Sequence, residues 1–259
     1  MFANLLFALV LQSAPSTPAC QDIHYAMENF SVCETACADE DDGVICHRVA
    51  SLARDGFRDE TGTPDYELAA ALFQRACGLG FAFGCHDLAL IHWEGPQEYL
   101  DDRAGFDLFE QACTEHDLKA ACGMLGTAYY LGRGTEPDQD RALALWESSC
   151  APGWTTVSAC RQLGTVHLLE EIPSARPLYG MEMLEQACAD GDAISCAIAA
   201  RSYIVHPTIP ENIPRTIALT GQACELGLPP EMSSRCSPAF RAALERMAEM
   251  SPNRPSTPK

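Results

Sequence analysis

Apolar and small residues recur along the chain in register, at intervals of 36 to 40 residues. One column holds an apolar residue, the next holds Ala or Gly, and a later column holds a mostly large apolar side chain. The columns are Val49, Leu88, Leu125, Leu163 and Ala199; Ala50, Ala89, Gly126, Gly164 and Ala200; and Phe73, Phe109, Trp146, Leu184 and Thr220. A period of about twenty to fifty residues is typical of stacked supersecondary units, so the pattern predicts an all-α array of helix–turn–helix repeats.

A polar residue at the start of each predicted second helix supports this division into helix pairs. Asp and Asn are preferred N-caps because their side-chain oxygens accept hydrogen bonds from free backbone amides. In the fourth copy the aligned residue is an arginine, and we expect Ser174 to provide the cap instead. The aligned residues are Asp65, Asp101, Asp138, Arg176 and Asn212.

Glycines mark the predicted ends of the first helices. Gly56, Gly95 and Gly132 lie ten residues after the cysteine that opens each repeat, and they suit the left-handed residue that ends a helix. The next two repeats have Glu170 and His206 at this position. We therefore expect their first helices to end differently.

The chain has fourteen cysteines, and twelve of them form six successive pairs at the same interval, with the later cysteine of each pair at position 46, 85, 122, 160, 196 or 236. Seven to eleven residues separate the partners, which is wider than the usual spacing of zinc ligands. The C-x-x-C motif of thiol-redox centres is absent from the sequence. Metal and redox sites are the alternatives, and a structural link between one repeat and the next is favoured.

One repeat carries a family resemblance. The run CGMLGTAYYLGRGTEPDQDRALALWESSC resembles the Sel1-like repeat, which is related to the tetratricopeptide repeat. About five such units extend over residues 38–236. The resemblance implies an α/α superhelical solenoid with a concave binding groove. The matching residues are Leu125, Gly126, Tyr129, Gly132, Gly134, Asp138, Arg141, Ala142 and Trp146.

The paired cysteines resemble those of a bacterial secreted, cysteine-rich subgroup of this family. That resemblance implies disulfides at the repeat junctions, where a short return loop brings the two cysteines close together. Cys20 and Cys33 are left to pair with each other. The other expected pairs are Cys37–Cys46, Cys77–Cys85, Cys113–Cys122, Cys150–Cys160, Cys188–Cys196 and Cys224–Cys236.

Residues 1–19 are typical of a secretory signal peptide, with the apolar run Leu5–Leu11 followed by small residues. Cysteines behind such a signal belong to an oxidising compartment, which predicts a secreted or periplasmic protein without a membrane span. Lipoprotein anchoring at Cys20 is the less favoured alternative, because the usual Leu three residues earlier is missing. We expect residues 20–250 to form the repeat solenoid with helical caps and residues 251–259 to be a disordered tail.

Helical caps are predicted at both ends of the repeats. Residues 22–37 indicate a leading helix. Ser237 and Pro238 are suited to begin a closing helix over AFRAALERMAEM, as N-cap and first-turn residue. Such helices would cover the apolar faces of the terminal repeats.

The formal net charge of −19 disfavours nucleic acid and anionic lipid as partners, because both require clustered Lys and Arg. The acidic run Asp39–Asp42 lacks the ligand spacing of a calcium loop, and Gly78–Gly80 follows a helix rather than a strand. His92 and His167 share one repeat column, where structural hydrogen bonding is favoured over a ligand role. No metal or cofactor is expected.

Nucleophilic catalysis has little support in the sequence. Ser51 is followed three residues later by Arg54 rather than Lys, so the S-x-x-K motif of penicillin-binding enzymes is missing there. Members of the cysteine-rich subgroup are described as β-lactamase-like or penicillin-binding, which keeps a hydrolase as the alternative. A related mitochondrial protein is linked to respiratory-complex assembly, but residues 1–19 lack the Arg-rich character of a transit peptide.

Binding residues are expected on the first helices, which usually line the concave face of helical-repeat solenoids. Positions one, five and eight residues after each opening cysteine mix aromatic, basic and small polar side chains, a composition that suits peptide recognition. The alternative is that Trp93 and Tyr130 only pack between repeats. The candidate contacts are Arg54, Trp93, Tyr130, Arg161 and Arg201, in a stripe that also includes His47, His86, Ser51, Thr127, Thr165 and Leu168.

These patterns together predict an exported, disulfide-stapled scaffold that binds a protein or peptide and does no bond-making chemistry. A β-lactamase-like or peptidoglycan-binding hydrolase is the alternative.

Overall fold

The computed structural model describes residues 17–59, 61–150 and 157–250. The predicted tail, nearly all of the predicted signal segment and the interior of the loop between Cys150 and Cys160 lie outside the described residues. Over the described ranges the chain is helical and contains no strand. The helices are α1 (Thr17–Cys20), α2 (Ile23–Glu28), α3 (Phe30–Asp39), α4 (Gly43–Arg54), α5 (Tyr66–Gly78), α6 (Ala82–Glu94), α7 (Asp102–Thr114), α8 (Lys119–Leu131), α9 (Gln139–Ser149), α10 (Val157–Leu168), α11 (Pro177–Ala189), α12 (Ala193–Val205), α13 (Ile213–Leu226) and α14 (Pro238–Met250).

Five helix pairs form the repeats, namely α4/α5, α6/α7, α8/α9, α10/α11 and α12/α13. Two short 3₁₀ helices, Gln97–Tyr99 and Pro230–Cys236, lie before α7 and α14. The predicted all-α fold of repeated helix pairs is confirmed. The chain divides after Ala112 into two compact units, which we call unit 1 and unit 2.

The predicted apolar columns form the core of each unit. In unit 1 the side chains of Phe73 and Phe109 are fully buried. In unit 2 the indole N–H of Trp146 donates to the carbonyl oxygen of Gly123 at 3.0 Å. A Cβ added at Gly126 would lie only 2.8 Å from this indole ring, so the small column lets the second helix approach the first closely.

Most predicted N-caps are present, and one is wrong. Asp65, Asp138 and Asn212 each accept a hydrogen bond from the amide three residues later, at 3.0 Å. The carboxylate of Asp101 accepts bonds from the amides of residues 103 and 104. Ser174 does not cap α11, because that helix begins three residues later, at a proline whose rigid ring suits the first helical position.

Two expectations about helix ends are also corrected. Gly56 and Gly132 have the predicted positive φ, of 80° and 67°. Gly95 instead is extended, with φ −74° and ψ −171°, since the following Pro96 restricts its backbone to that region. Glu170 adopts the left-handed conformation, with φ 56°, so the first helix of the fourth repeat ends much like the glycine-terminated ones.

The N-terminal cap differs from the prediction, while the C-terminal cap follows it. The expected single leading helix is broken at Asn29, whose side-chain amide donates to the carbonyl oxygen of Tyr25 at 3.0 Å. At the other end, α14 begins at Pro238, and Ser237 Oγ accepts from the amide of Phe240 at 3.2 Å.

All fourteen cysteines are joined in seven disulfides, and the prediction of disulfides at the repeat junctions is confirmed. The five bridges from Cys37–Cys46 to Cys188–Cys196 join the end of one helix to the start of the next, with Cα–Cα distances of 4.6 to 4.9 Å. The bridges Cys20–Cys33 and Cys224–Cys236 tie down the two end caps.

Polar side chains reinforce some of these junctions. The residue two positions before a junction cysteine reaches back to the preceding repeat. Arg75 Nε donates to the carbonyl oxygen of Cys37 at 2.9 Å, and Gln222 Nε2 donates to that of Cys188 at 3.0 Å. These bonds satisfy carbonyl groups that a helix C-terminus leaves without intrahelical partners.

Candidate binding site

A polar cluster joins α4 and α6, the first helices of two consecutive repeats in unit 1. The carboxylate of Asp87 lies 2.9 Å from His47 Nε2 and 2.8 Å from His86 Nδ1. Arg54 Nη1 lies 3.6 Å from the same carboxylate. Thus three stripe residues from the sequence share one acceptor, which the sequence did not single out.

Aromatic rings border this cluster. His47 packs against Phe73, Phe81 and Phe83, with ring centroids 5.2 to 6.2 Å apart. Phe83 is 46% exposed, so part of the aromatic surface faces solvent. We call His47, Arg54, Phe83, His86 and Asp87 the α4–α6 patch.

The carboxylate of Asp87 stays ionised well into the acid range. Burial alone would raise its pKa, but the hydrogen bonds and charges of His47 and His86 together hold the pKa well below its usual value. The patch therefore presents a fixed carboxylate surrounded by nitrogen donors. Fixed donors and aromatic rings are typical of recognition surfaces.

The substitution Asp87→Ala tests the role of this carboxylate. We expect the free energy of unfolding to fall by about 1–3 kcal/mol, because the side chains of His47 and His86 lose the partly buried carboxylate to which they are hydrogen-bonded. A carboxylate whose pKa is depressed by folding stabilises the protein fully above its unfolded pKa, and that contribution declines as the pH falls through the folded pKa.

The stability difference between wild type and Asp87→Ala should therefore be full above about pH 5 and shrink below about pH 4. Denaturant unfolding at several pH values measures it. The exposed Asp107 pairs with Arg103 one helical turn away, and Asp107→Ala is the control, with an expected loss below about 0.5 kcal/mol. A loss at Asp87 that is equal at pH 3 and pH 7 would contradict this assignment.

Trp93 lies in the packed interior of unit 1. Its side chain is only 5% exposed, and its ring meets that of Phe109 edge to face at a centroid distance of 4.9 Å. This placement corresponds to the packing role that was the alternative for Trp93. It offers little surface to a partner.

Two stripe residues of unit 2 are held by carboxylates that lie outside their own helices. Arg161 Nη1 lies 2.7 Å from Asp192, which also caps α12 by accepting from the amide of Ser195. The Tyr130 hydroxyl donates to Glu171 at 2.6 Å, and this bond raises the pKa of Tyr130 to about 12. Neither side chain joins a cluster comparable to the α4–α6 patch.

The two histidines of the shared column make structural hydrogen bonds. His92 Nδ1 lies 2.8 Å from the carbonyl oxygen of Tyr99. His167 is buried and its Nδ1 accepts from the amide of Arg176 at 3.2 Å, while burial and the charge of Arg176 lower its pKa. In the part of the chain that the structure describes, no group of three or more His, Cys, Asp or Glu could hold a metal ion.

The acidic run and the glycine motif have local structural roles. Asp42 caps α4 through bonds from the amides of Val44 and Ile45, at 2.8 and 3.2 Å. Asp41 pairs with Arg75 at 3.0 Å. Gly80 has a φ of 82° in the return from α5 to α6. These contacts give Asp41, Asp42 and Gly80 local structural roles.

Family comparison agrees with this repeat geometry. The Sel1 repeat family matches residues 46–81, 82–117 and 119–152. The chain therefore contains three Sel1 repeats. The three matches coincide with α4/α5, α6/α7 and α8/α9.

Curated relatives align with part of this chain. Cytochrome c oxidase assembly factor 7 of Mus musculus is 30% identical over 100 residues, covering 39% of this chain and 43% of the relative. The Danio rerio protein of the same name is 35% identical over 104 residues, covering 38% and 42%. The chain thus spans less than half the length of these relatives.

Solved structures share the fold over most of the chain. A Sel1 repeat protein from Oxalobacter formigenes is 15% identical, with a TM-score of 0.68 over 91% of this chain and 99% of that one. A protective antigen of uropathogenic Escherichia coli, which displays an SLR fold, is 17% identical, with a TM-score of 0.61 over 88% and 45%. At these identities the likeness concerns the fold alone.

The seven disulfides are typical of an oxidising, non-cytoplasmic compartment. None of the described helices has both the length and the apolar character that crossing a membrane requires.

Proposed function

We propose that this Sel1-like protein is an exported scaffold that binds a protein or peptide and makes or breaks no covalent bond. The carrying observation is the α4–α6 patch, where exposed aromatic surface surrounds donors fixed on Asp87. Side chains that are already ordered lose little conformational entropy when a ligand binds. Such a patch suits recognition of a neutral or basic segment, given the net charge of −19.

The proposed contacts in unit 1 are Arg54 and Phe83, which are partly exposed. In unit 2 we propose Tyr130, Arg161 and Arg201, as the sequence stripe indicated. Trp93 is buried and packs against Phe109, whose ring also contacts His86 of the patch, so we propose an indirect role for it.

Export to the periplasm or the cell exterior accounts for the disulfide content. The thiol of Cys20 is bonded to Cys33, and a cysteine lipidated on its sulfur could not form that bond. We therefore propose export without lipid anchoring at Cys20. The matched relatives are named as assembly factors, which is compatible with a role exerted through other proteins.

Peptide phage display on the oxidised, full-length protein tests the binding proposal. We expect enriched peptides that lose at least about tenfold in affinity for the double variant Arg54→Ala, Phe83→Ala, because truncating hot-spot residues commonly has such effects. The control is Leu100→Ala, Arg103→Ala, which removes an exposed apolar and an exposed basic side chain outside the patch.

Two results would count against the proposal. One is a phage selection in which no enriched peptide loses affinity for the Arg54→Ala, Phe83→Ala variant. The other is turnover of a chromogenic β-lactam by the purified protein, which would favour the hydrolase alternative.

A further inference from the structure

An apolar cavity of about 280 Å³ lies in unit 2, lined by α12, α13 and the first residues of α14. Ile204, Val205 and Leu228 contribute apolar walls. The volume is roughly twice that of an engineered cavity of about 150 Å³ that binds benzene. By that comparison the space holds an apolar chain of about ten carbon atoms.

The repeat register explains why this space exists. Thr220 lines the cavity, at the column that Phe73, Phe109, Trp146 and Leu184 occupy in the other repeats. Those four side chains are almost completely buried and fill the space between helices. In the last repeat the small threonine leaves that space open.

Two arginines line the same cavity. The guanidinium groups of Arg201 and Arg235 have no hydrogen-bond or ion-pair partner among the residues that the structure describes. Guanidinium groups bind carboxylates through paired, charge-assisted hydrogen bonds. Other arginines of the chain do pair with a carboxylate, among them Arg54, Arg161 and Arg215.

Two threonine hydroxyls are the remaining polar side-chain groups of the lining. The hydroxyl of Thr216 is already bonded, at 3.2 Å to the carbonyl oxygen of Ala200 and 3.0 Å to that of Asn212, so only the hydroxyl of Thr220 is left for the main chain of a peptide. A buried peptide segment brings amide and carbonyl groups that each need a partner. An alkyl chain brings none.

We propose that unit 2 binds an aliphatic monocarboxylate of about ten carbon atoms, with its chain in the cavity and its carboxylate on Arg201 and Arg235. The walls are apolar where the chain lies, and the two unpaired cations supply the complementary charge. The bridge Cys224–Cys236 ties the short helix that carries Arg235 to α13. This site lies outside the α4–α6 patch and shares Arg201 with the contacts proposed for unit 2.

Isothermal titration of the oxidised, full-length protein with decanoate tests the site. We expect one decanoate per chain with a dissociation constant on the order of 10 µM, and at least about tenfold weaker binding to Arg201→Gln and to Arg235→Gln. Decan-1-ol has the same chain without the charge and should bind at least about tenfold more weakly. The control Arg215→Gln removes an arginine that pairs with Glu185 and should leave the affinity unchanged.

The variant Thr220→Leu tests the contribution of the cavity to decanoate binding separately from that of the two arginines. It restores an apolar side chain to the repeat column, so it should abolish decanoate binding while both arginines remain and the unfolding temperature stays equal or rises. Equal decanoate affinity in Thr220→Leu, in Arg201→Gln or for decan-1-ol would overturn the proposal. So would no binding of decanoate to wild type, or competition in which a peptide with a free carboxyl terminus binds here and decanoate does not.

Discussion

Replacing Cys77 and Cys85 together with alanine is expected to lower the free energy of unfolding by about 2–4 kcal/mol. The bridge closes a short loop between α5 and α6, and its loss restores conformational freedom to the unfolded chain. In a repeat protein each repeat contacts only its neighbouring repeats, so a weakened junction also reduces cooperativity between repeats. Both cysteines are buried, and the substitution adds a small packing loss.

Denaturant unfolding followed by circular dichroism measures this effect. The control is the double alanine variant of Cys224 and Cys236, which detaches the C-terminal cap and leaves the α5–α6 junction intact. We expect the Cys77–Cys85 variant to show the broader transition. A sharp transition at the wild-type midpoint would mean that this junction is held by packing alone.

Trp146→Ala is expected to cost about 3–5 kcal/mol, the range for removing a large, fully buried aromatic side chain. The ring is 1% exposed and its N–H donates to the carbonyl oxygen of Gly123. Trp146→Phe keeps most of the ring volume and loses the hydrogen bond, so its cost should be about 1–2 kcal/mol.

A double-mutant cycle that combines Trp146→Ala with Gly126→Ala tests the close approach of these two residues directly. The added methyl would lie 2.8 Å from the Trp146 ring, so it should be destabilising in wild type. In the Trp146→Ala background the same methyl has room, and its cost should fall. Additive effects of the two substitutions would show that the side chains are not in contact.

The repeat fold could be predicted from the sequence because each column is a packing requirement that recurs. Trp146 and Gly126 face each other in the structure, and both belong to columns visible in the sequence. The cysteine spacing had the same advantage, since five of the six pairs mark the same kind of junction. Because the same positions recur in successive repeats, a pattern that is weak within one repeat could be recognised along the whole series.

Features that occur once were harder to predict. Asp87 lies two residues after an opening cysteine, where the other repeats have Arg48, Met124, Gln162 and Ile198, so no column marked it. The extended backbone of Gly95 depends on the neighbouring proline rather than on the repeat. The threonine at 220 was visible as an outlier, but only the packed structure shows that its neighbours leave the space open.

The affinity of a phage-selected peptide for wild type and for the Arg54→Ala, Phe83→Ala variant is the most direct test of the scaffold account. Fluorescence anisotropy with the labelled peptide measures both dissociation constants on oxidised, full-length protein. The account predicts at least about tenfold weaker binding to the variant and unchanged binding to the Leu100→Ala, Arg103→Ala control. Equal affinities for wild type and the patch variant would contradict it.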